Sequence, residues 1–458
     1  MKPRSLAHID NYGYINARVR AMKSVLLNRD FYEELLHTKE FMSLVNLLEK
    51  SPYRTEIDEC VISKSGMSGV DEALKRNLSR NFRRILNFTA GEPHDLILLL
   101  LGRWDLHNII TLIRGKHIKA TEEQISESLI PAGELDTPFL DQLNQQNTVK
   151  EIIDLLATWG SPYGKALIKK YKEYIEQNNP SVLELSLYKM YYQYVLDIVK
   201  NRSYDCKILE DLITYEVDAI NTITILRLQL MDLEDLMQKR SGETKINKSD
   251  YVIPKEEDTF WSRLTKEQKA GGIIFPTKSE TTILSRIFKN TVDLIGKRLK
   301  ESDNGLDFRR KALDPKTIYG EGFEKIKVFD KTEVVKSIRE YFVHGGREIS
   351  EKKFVKLCLI MDVEKVLKEL ESTSFGVILK SVLQRYLEYN SMSILERKIE
   401  EMLIKKGISI YNKNSLSVGI PIGYIWRKYN EVVNLRIIMR CKKIGMPETK
   451  IRDKLVLV

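Results

Sequence analysis

The chain is poor in residues that cross-link a fold or break helices. Its 458 residues include only 4 Cys, at positions 60, 206, 358 and 441, and no two of them have CxxC spacing. We therefore expect neither a disulfide framework nor a zinc site, and a reducing compartment is indicated. With 12 Pro and 23 Gly, the composition favours long helices over a turn-dense all-β fold.

Long apolar runs are also absent. The longest wholly apolar run covers residues 96–101, far short of the ~20 residues that a membrane-spanning helix needs. The N-terminal sequence MKPRSLAHIDNYGY has no apolar core of the kind found in secretory signals. The sequence therefore predicts neither a membrane span nor a secretory signal.

Motifs for catalysis are missing as well. The sequence has no GxxxxGK[ST] phosphate loop and none of the patterns HExxH, GxSxG or GxGxxG. Its six His residues are scattered, and no Cys lies in a pattern typical of a nucleophile. We expect no catalytic residue, no cofactor and no metal site. An enzyme whose active site lies inside a helical bundle would need convergent acids or a metal, and no such spacing recurs.

Positive charge is present, but it is concentrated at the two ends of the sequence. Residues 1–29 carry six Lys or Arg and one acid, and residues 427–458 carry nine Lys or Arg and three acids, whereas the whole chain is +10. The long middle of the chain is therefore close to neutral. The ends are either solvated or face a local anionic partner. A basic all-helical nucleic-acid-binding or scaffold protein is the alternative, which the neutral middle disfavours.

A polar motif occurs three times in the chain. An acid is followed three residues later by Asn and six residues after that by Arg, with apolar residues between them. The three copies are Asp105, Asn108 and Arg114; Asp218, Asn221 and Arg227; and Glu431, Asn434 and Arg440. A second signature precedes each copy at a nearly fixed distance: Ser51-Pro52-Tyr53, Ser161-Pro162-Tyr163 and Thr373-Ser374-Phe375. Repetition of both signatures predicts three related units.

The third unit contains about 100 additional residues. Asn108 and Asn221 are 113 positions apart, whereas Asn221 and Asn434 are 213 apart. We place the insertion at about residues 235–335, with one helix predicted at 282–299 and short strands possible at 323–330. Elsewhere Leu, Ile, Lys and Glu dominate and apolar residues recur every three or four positions, which predicts an all-α protein. The predicted domains are 1–117, 118–230 and 231–458, the last of which carries the insertion.

Local signals support the helical interpretation. Thr121 and Gln124 form a capping-box pattern, and Gly445 followed by Pro447 predicts the end of one helix and the start of another. The distance from Arg114 to Ile125 equals that from Arg440 to Ile451, so this helix-break-helix pattern recurs.

The repeated polar residues have two possible roles. Asn and the acid could satisfy helix ends or a helix crossing while Arg pairs with a carboxylate, or these residues could contact a partner. The candidate bracing or subunit-interface residues are Tyr14, Arg18, Arg20, Asn108, Arg114, Asn221, Arg227, Asn434, Arg436 and Arg440. Tyr14, Arg18 and Arg20 belong to this set because aromatic and Arg residues are preferred at interfaces.

Several segments resemble one family. These are YGYINARVRAMKSVLL at 12–27, DLHNIITLIRGK at 105–116, LIPAGEL at 129–135, YEVDAINTITILR at 215–227, FVHGGREIS at 342–350 and residues 418–456, beginning VGIPIGYIW. The chain is similar in these segments to the C subunit of archaeal and bacterial A/V-type rotary ATPases, which is related to the d subunit of the vacuolar ATPase. The insertion departs from the usual pattern of that family.

The resemblance implies a fold and a role. Three related helical domains would close into a funnel around a pseudo-threefold axis. The protein would be a non-catalytic rotor component at the cytoplasmic face of the membrane. Its wide side would sit on the proteolipid ring, and its cavity would hold the tip of the central shaft, formed by D- and F-type subunits. Contact of the basic ends with the membrane surface is possible, and no nucleic acid is expected.

Overall fold

The fold is all-α in the part of the chain that the structure describes. The computed structural model describes residues 7–64, 66–200, 203–243, 335–336, 338–360, 363–389, 392–412 and 415–457. Every regular element within these ranges is helical, so the predicted fold class is confirmed. The helix predicted at 282–299 and the possible strands at 323–330 lie outside the described residues.

Eighteen α-helices lie wholly within the described ranges. They are α1 Ala7–Ser24, α2 Arg29–His37, α3 Phe41–Glu49, α4 Arg54–Ser63, α5 Gly66–Asn87, α6 Glu92–His117, α7 Glu122–Ser126, α8 Thr137–Asn144, α9 Val149–Thr158, α10 Pro162–Gln177, α11 Ser181–Val199, α12 Tyr204–Glu243, α13 Glu351–Leu359, α14 Val363–Leu370, α15 Gly376–Tyr389, α16 Met392–Ser409, α17 Gly419–Lys443 and α18 Glu448–Arg452, with a short 3₁₀ turn at Ile410–Asn412.

Five helices recur in the same order three times. The sets α2–α6, α8–α12 and α13–α17 each consist of two helices of 8 to 10 residues followed by three further helices. The Ser-Pro-Tyr-type signature lies between the second and third helix in the first and third sets and at the start of the third helix in the second set, and the acid–Asn motif lies in the fifth helix of each set. The short helices α7 and α18 follow the fifth helix in the first and third sets. The repetition seen in the sequence is therefore a repetition of helices.

The predicted capping signals are present. The Thr121 side chain accepts a hydrogen bond from the Gln124 backbone while Gln124 reaches back to the Thr121 N–H, which confirms the capping box. Helix α17 ends at Lys443, and Gly445 follows with a φ of 71°, a conformation that glycine adopts without strain. Helix α18 then begins directly after Pro447, as predicted.

The chain divides into two compact units. Unit 1 comprises Met1–Lys172, Ser186–Tyr215 and Glu401–Val458, and unit 2 comprises Glu173–Leu185 and Glu216–Glu400. The limits of the two units fall inside helices and do not coincide with the three domains predicted from the sequence. Those three domains stay predictions.

Each unit has its own apolar core. In unit 1, Phe82 of α5 and Trp104 of α6 are almost fully buried and meet edge to face, with ring centroids 5.0 Å apart. In unit 2, Phe354 of α13 and Phe375 are fully buried, and Phe354 packs against Phe342 at 5.3 Å between ring centroids.

One helix among the described residues, α6, is long and apolar enough to cross a membrane by length and composition alone. Most of it is buried within the protein, as expected for a core helix. Its buried polar residues include Asp105 and Asn108, which make the contacts described below.

Candidate functional site

The repeated Asn and acid residues of α6, α12 and α17 bind the backbone of chain segments outside those helices. We call each of these arrangements a junction. At the first junction, in unit 1, Asn108 forms two hydrogen bonds with one residue: its Oδ1 accepts the Ile130 N–H at 2.8 Å, and its Nδ2 donates to the Ile130 carbonyl at 2.8 Å. The Asp105 carboxylate accepts the N–H groups of Glu134 and Leu135 at 2.8 and 2.9 Å.

The second junction, in unit 2, repeats this geometry. Asn221 donates to the Val343 carbonyl at 2.9 Å and accepts the Val343 N–H at 3.0 Å. Three backbone N–H groups donate to the Asp218 carboxylate at 2.8 to 3.0 Å, those of Arg347, Glu348 and Ile349.

The third junction, in unit 1, joins two distant parts of the sequence. Asn434 donates to the Val456 carbonyl at 2.9 Å and accepts the Val456 N–H at 3.1 Å. Glu431 accepts the N–H of Leu27, which lies 404 positions away, at 2.7 Å. The other Glu431 oxygen accepts hydrogen bonds from the Tyr53 hydroxyl and the Lys428 ammonium, both at 2.7 Å.

The three junctions use equivalent positions. The Asn partner lies 22 residues after Asn108, 122 after Asn221 and 22 after Asn434. The excess of 100 at the second junction agrees with the predicted insertion. The acid in each case accepts the N–H of the residue directly before a helix N-cap: Leu135 before Asp136, Ile349 before Ser350 and Leu27 before Asn28.

Glycine allows the carboxylate to approach the backbone at two junctions. A Cβ at Gly133 would overlap the Asp105 carboxylate, and a Cβ at Gly346 would overlap that of Asp218. A short Asp can reach the N–H groups only where the chain comes this close. At the third junction the longer side chain of Glu431 spans the distance instead.

Burial and backbone hydrogen bonds shift the pKa values of the Asp105 and Asp218 carboxylates in opposite directions. Burial raises the pKa of Asp105 to about 7, although the N–H groups of Glu134 and Leu135 act in the opposite direction. Burial likewise raises the pKa of Asp218 against three backbone donors. Each carboxylate satisfies N–H groups that would otherwise be buried without a partner, which is a role in holding the chain together.

The repeated residues Arg227 and Arg440 pair with carboxylates. In unit 2, buried Arg227 donates from Nε to Glu396 of α16 at 2.5 Å. In unit 1, Arg440 and Arg436 both bind Asp71 of α5, at 2.8 and 3.0 Å. Burial by itself would raise the pKa of Asp71, but the two guanidinium groups outweigh it and lower that pKa. Arg114 lies in the last turn of α6 and is partly buried.

Helix α1 carries the other candidates. Tyr14 is 52% exposed and lies edge to face with Phe88, and the Arg18 guanidinium lies 4.8 Å from the Phe88 ring centroid while donating to the Tyr14 hydroxyl at 2.7 Å. Arg20 donates to the Ser415 carbonyl at 3.3 Å. All three side chains are exposed in unit 1. Contact of any candidate with another protein of a complex stays a prediction.

Much of the basic charge of the C-terminal segment is paired inside unit 1. Lys428 pairs with Glu431, and Arg436 and Arg440 pair with Asp71. Arg452 binds Glu33 and Glu448. These two glutamates and His37 form a group with the spacing of metal ligands among the described residues, but the Arg452 guanidinium already supplies the cation there.

The candidate set from the sequence contains the Asn and Arg of each motif and omits several residues that make the junctions. The omitted acids are Asp105, Asp218 and Glu431, and the other omitted residues are Tyr53, Asp71 and the glycines 133 and 346. The available signal for the first two acids and the glycines was the distance from Asn to Gly, which is 25 residues at Asn108 and 125 at Asn221 and so differs only by the insertion. No local pattern marks the pairing of Glu431 with Leu27 and Tyr53.

A helical protein with this repeated motif has a counterpart among known families. The sequence matches the ATP synthase (C/AC39) subunit family over residues 15–302 and 325–454, and the chain belongs to this family. It is therefore a non-catalytic subunit of a membrane-associated rotary ATP synthase, a complex whose activities are ATP synthesis and ion transport.

Three proteins with similar sequences are each named as the C subunit of an A-type ATP synthase. The C subunit of the A-type ATP synthase from Methanosarcina acetivorans is 27% identical over 449 residues, covering 98% of this chain and 93% of that protein. Its counterpart from Methanococcoides burtonii is 34% identical over 262 residues, covering 56% of this chain and 71% of that protein. The counterpart from Thermococcus kodakarensis is 22% identical over 444 residues, covering 96% of this chain and 89% of that protein.

Proposed function

We propose that this chain belongs to the central stalk of an A-type ATP synthase and connects the rotating shaft to the membrane proteolipid ring. Its three helical repeats close into a funnel around a pseudo-threefold axis. The funnel holds the tip of the D- and F-type shaft subunits, and its wide side sits on the ring at the cytoplasmic face of the membrane.

The observation that carries this proposal is the recurrence of the junction. The same acid–Asn arrangement is found three times, and the third connects Glu431 near the end of the sequence with Leu27 near its beginning. A chain of three repeats whose last repeat binds its first is suited to a closed ring. Such a ring supports torque because each junction anchors a buried backbone segment through several hydrogen bonds.

Stiffness is the physical requirement for a coupling element. Helices packed through buried cores deform little, and the described residues are predominantly helical. The buried ion pair of Arg227 with Glu396 and the half-buried pair of Arg440 with Asp71 fix neighbouring helices further. These contacts favour a bracing role for the repeated Arg residues, and the exposed α1 residues Tyr14, Arg18 and Arg20 remain the candidates for contact with the shaft or the ring.

Affinity purification of the tagged chain from native membranes in mild detergent tests the proposal. We expect the proteolipid and the shaft subunits to be recovered with it. Arg18→Glu combined with Arg20→Glu should reduce the recovery of either the proteolipid or the shaft subunits. Lys169→Glu, which reverses a charge on the exposed surface of α10, should leave the recovery of both unchanged. Recovery of the wild-type chain without any membrane partner would contradict the proposal, and the alternative of nucleic-acid binding would then be tested next.

Contact with the membrane surface is a separate part of the proposal. Lys443 is exposed at the end of α17, whereas Arg436 is committed to Asp71. Lys443→Glu should weaken sedimentation of the chain with vesicles that contain anionic lipid, since the Lys443 charge lies in solvent and takes no part in the ion pair with Asp71. Equal sedimentation of the variant and the wild type would remove lipid contact from the account.

A further inference from the structure

A cavity in unit 1 is lined by residues of α1, α2 and α17. Its volume of about 340 Å³ is at the lower end of the roughly 300–1,000 Å³ usual for small-molecule sites. Lys23 near the end of α1, Arg427 of α17 and Asn28, the N-cap of α2, all line it. The cavity is therefore large enough for a small ligand or a single headgroup and too small for a folded domain.

The cations that line the cavity outnumber the acids. Lys23, Arg29 and Arg427 are the lining cations, and Glu431 is the lining acid. The Glu431 carboxylate binds the ammonium of Lys428 at 2.7 Å, and Lys428 is not among the lining residues. Because this acid is already neutralised by a buried cation, it does not balance the charge of the others. The lining as a whole is therefore positive.

Two of these cations lie beside one aromatic ring. The Tyr411 ring centroid is 4.3 Å from the Nζ of Lys23 and 5.6 Å from the Cζ of Arg427. Neither cation forms an ion pair with a carboxylate among the described residues, and both burial and the nearby Arg427 charge lower the pKa of Lys23. Because like charges held near each other repel, an anion bound beside both of them is stabilising.

The N-terminal end of α2 adds a further attraction for an anion. This nine-residue helix begins at Arg29, and both Asn28 and Arg29 line the cavity. The first N–H groups of a helix have no acceptor within it, and the helix dipole places partial positive charge at this end. The Asn28 side chain accepts the Phe31 N–H at 2.9 Å. The positive end of the helix thus reinforces the charge of the two side chains.

We propose that this cavity binds a phosphate group, held by the ammonium of Lys23, the guanidinium of Arg427 and the N-terminal end of α2. A guanidinium matches the spacing of two phosphate oxygens, and an ammonium supplies a compact charge. A phosphate group carries up to two negative charges, so it balances both cations, which a single carboxylate does not. The proposal goes beyond the shaft-and-ring function and does not depend on it.

Isothermal titration of the full-length chain with inorganic phosphate, at constant ionic strength, tests the proposal. We expect saturable binding by the wild type. The affinity should fall by about tenfold in Lys23→Gln and in Arg427→Gln, because each variant loses one charge-assisted hydrogen bond. Acetate, which carries a single charge, should bind the wild type at least about tenfold more weakly than phosphate does, since it leaves one cation unpaired.

A lipid headgroup carries the same phosphate chemistry, so a second measurement distinguishes the two sources. The full-length chain is sedimented with phosphatidylcholine vesicles that contain phosphatidic acid. Binding of free phosphate, with equal sedimentation of wild type and Lys23→Gln, would assign the cavity to a soluble ligand. Sedimentation that Lys23→Gln weakens, without binding of free phosphate, would assign it to a lipid headgroup. Failure of both free phosphate and vesicles to bind in a Lys23-dependent manner would overturn the proposal.

A matched control separates the cavity from general charge effects. Lys406 lies 5.1 Å from the Tyr215 ring centroid, as Lys23 lies beside Tyr411, but it does not line the cavity. Lys406→Gln should leave phosphate affinity unchanged, and unchanged circular dichroism should show that all variants remain folded. The proposal is also overturned if acetate binds as tightly as phosphate, or if Lys406→Gln weakens binding as much as Lys23→Gln does.

Discussion

Tyr53 donates a hydrogen bond of 2.7 Å to Glu431 across 378 positions of sequence. Tyr163, the equivalent residue of the second repeat, donates from its hydroxyl to the Gly102 carbonyl of α6 at 3.2 Å. Both tyrosines lie in unit 1, and each reaches the motif-bearing helix of another repeat. The tyrosine of the signature in each of these two repeats therefore contacts the motif-bearing helix of another repeat and not that of its own.

The two tyrosine hydroxyls should differ in their contribution to stability. The Tyr53 hydroxyl bonds to the charged groups of Glu431 and Lys428, whereas that of Tyr163 bonds to a neutral carbonyl. Tyr53→Phe should lower the free energy of unfolding by about 1.5–3 kcal/mol and Tyr163→Phe by about 0.5–1.5 kcal/mol. Urea unfolding of the full-length variants gives both values. A larger effect of Tyr163→Phe would show that the charged network contributes little.

The three junction asparagines should be equally important for stability. Alanine at Asn108, Asn221 or Asn434 removes one bond to a backbone N–H and one to a carbonyl. The Ile130 and Val456 carbonyls each keep a second donor, the Ala132 N–H at 2.8 Å and the Asn430 Nδ2 at 2.7 Å. Each substitution should lower the free energy of unfolding by about 2–4 kcal/mol, since two buried hydrogen bonds are lost.

The control for this series is Asn147→Ala, which removes an exposed side chain. It should change stability by less than about 0.5 kcal/mol. If alanine at Asn434 were as harmless as the control, the third junction would not be equivalent to the others.

The glycines that face the carboxylates should not tolerate a methyl group. Gly133→Ala places a Cβ on the Asp105 carboxylate and should lower the free energy of unfolding by about 1–3 kcal/mol through overpacking. Gly13 lies in α1 with open space at its Cβ, so Gly13→Ala should raise stability by up to about 1 kcal/mol through helix propensity. Thermal unfolding midpoints that shift in the same direction for both variants would contradict this explanation.

Asp105 should make stability depend on pH. Its pKa is about 7 in the folded chain and about 3.9 in an unfolded one. Between these values the folded chain holds a proton that the unfolded chain has released, so the stabilising contribution is complete below about pH 4 and is lost as pH rises through about 7. The difference in unfolding free energy between wild type and Asp105→Asn should fall with rising pH by up to about 1.4 kcal/mol per pH unit in this window.

Exposed Asp141 supplies the control for this titration. The unfolding free energy of Asp141→Asn should follow the same pH dependence as that of the wild type. Urea unfolding measures it at several pH values between the unfolded and folded pKa values of Asp105 and just above the folded one. Parallel curves for wild type and Asp105→Asn would mean that Asp105 stays ionised throughout.

The sequence predicts the helices and their repetition because both depend on local patterns. The capping box at Thr121, the helix break at Gly445 and the 100-residue excess before Asn434 all follow from short-range spacing. The junction partners could not be obtained in this way. An Asn on a helix has many possible partners, and the backbone of a connecting segment carries no side-chain signature.

The third junction illustrates the limit most clearly. The pairing of Glu431 with Leu27 depends on the long-range packing of α1, α2 and α17.

The most direct test of the proposed coupling role measures ATP hydrolysis and ion transport in parallel, in membrane vesicles from which this chain has been removed. We predict that removal abolishes ATP-driven ion transport while hydrolysis continues, and that adding back the purified chain restores transport. Ion transport that continues at the full rate without the chain would contradict the account.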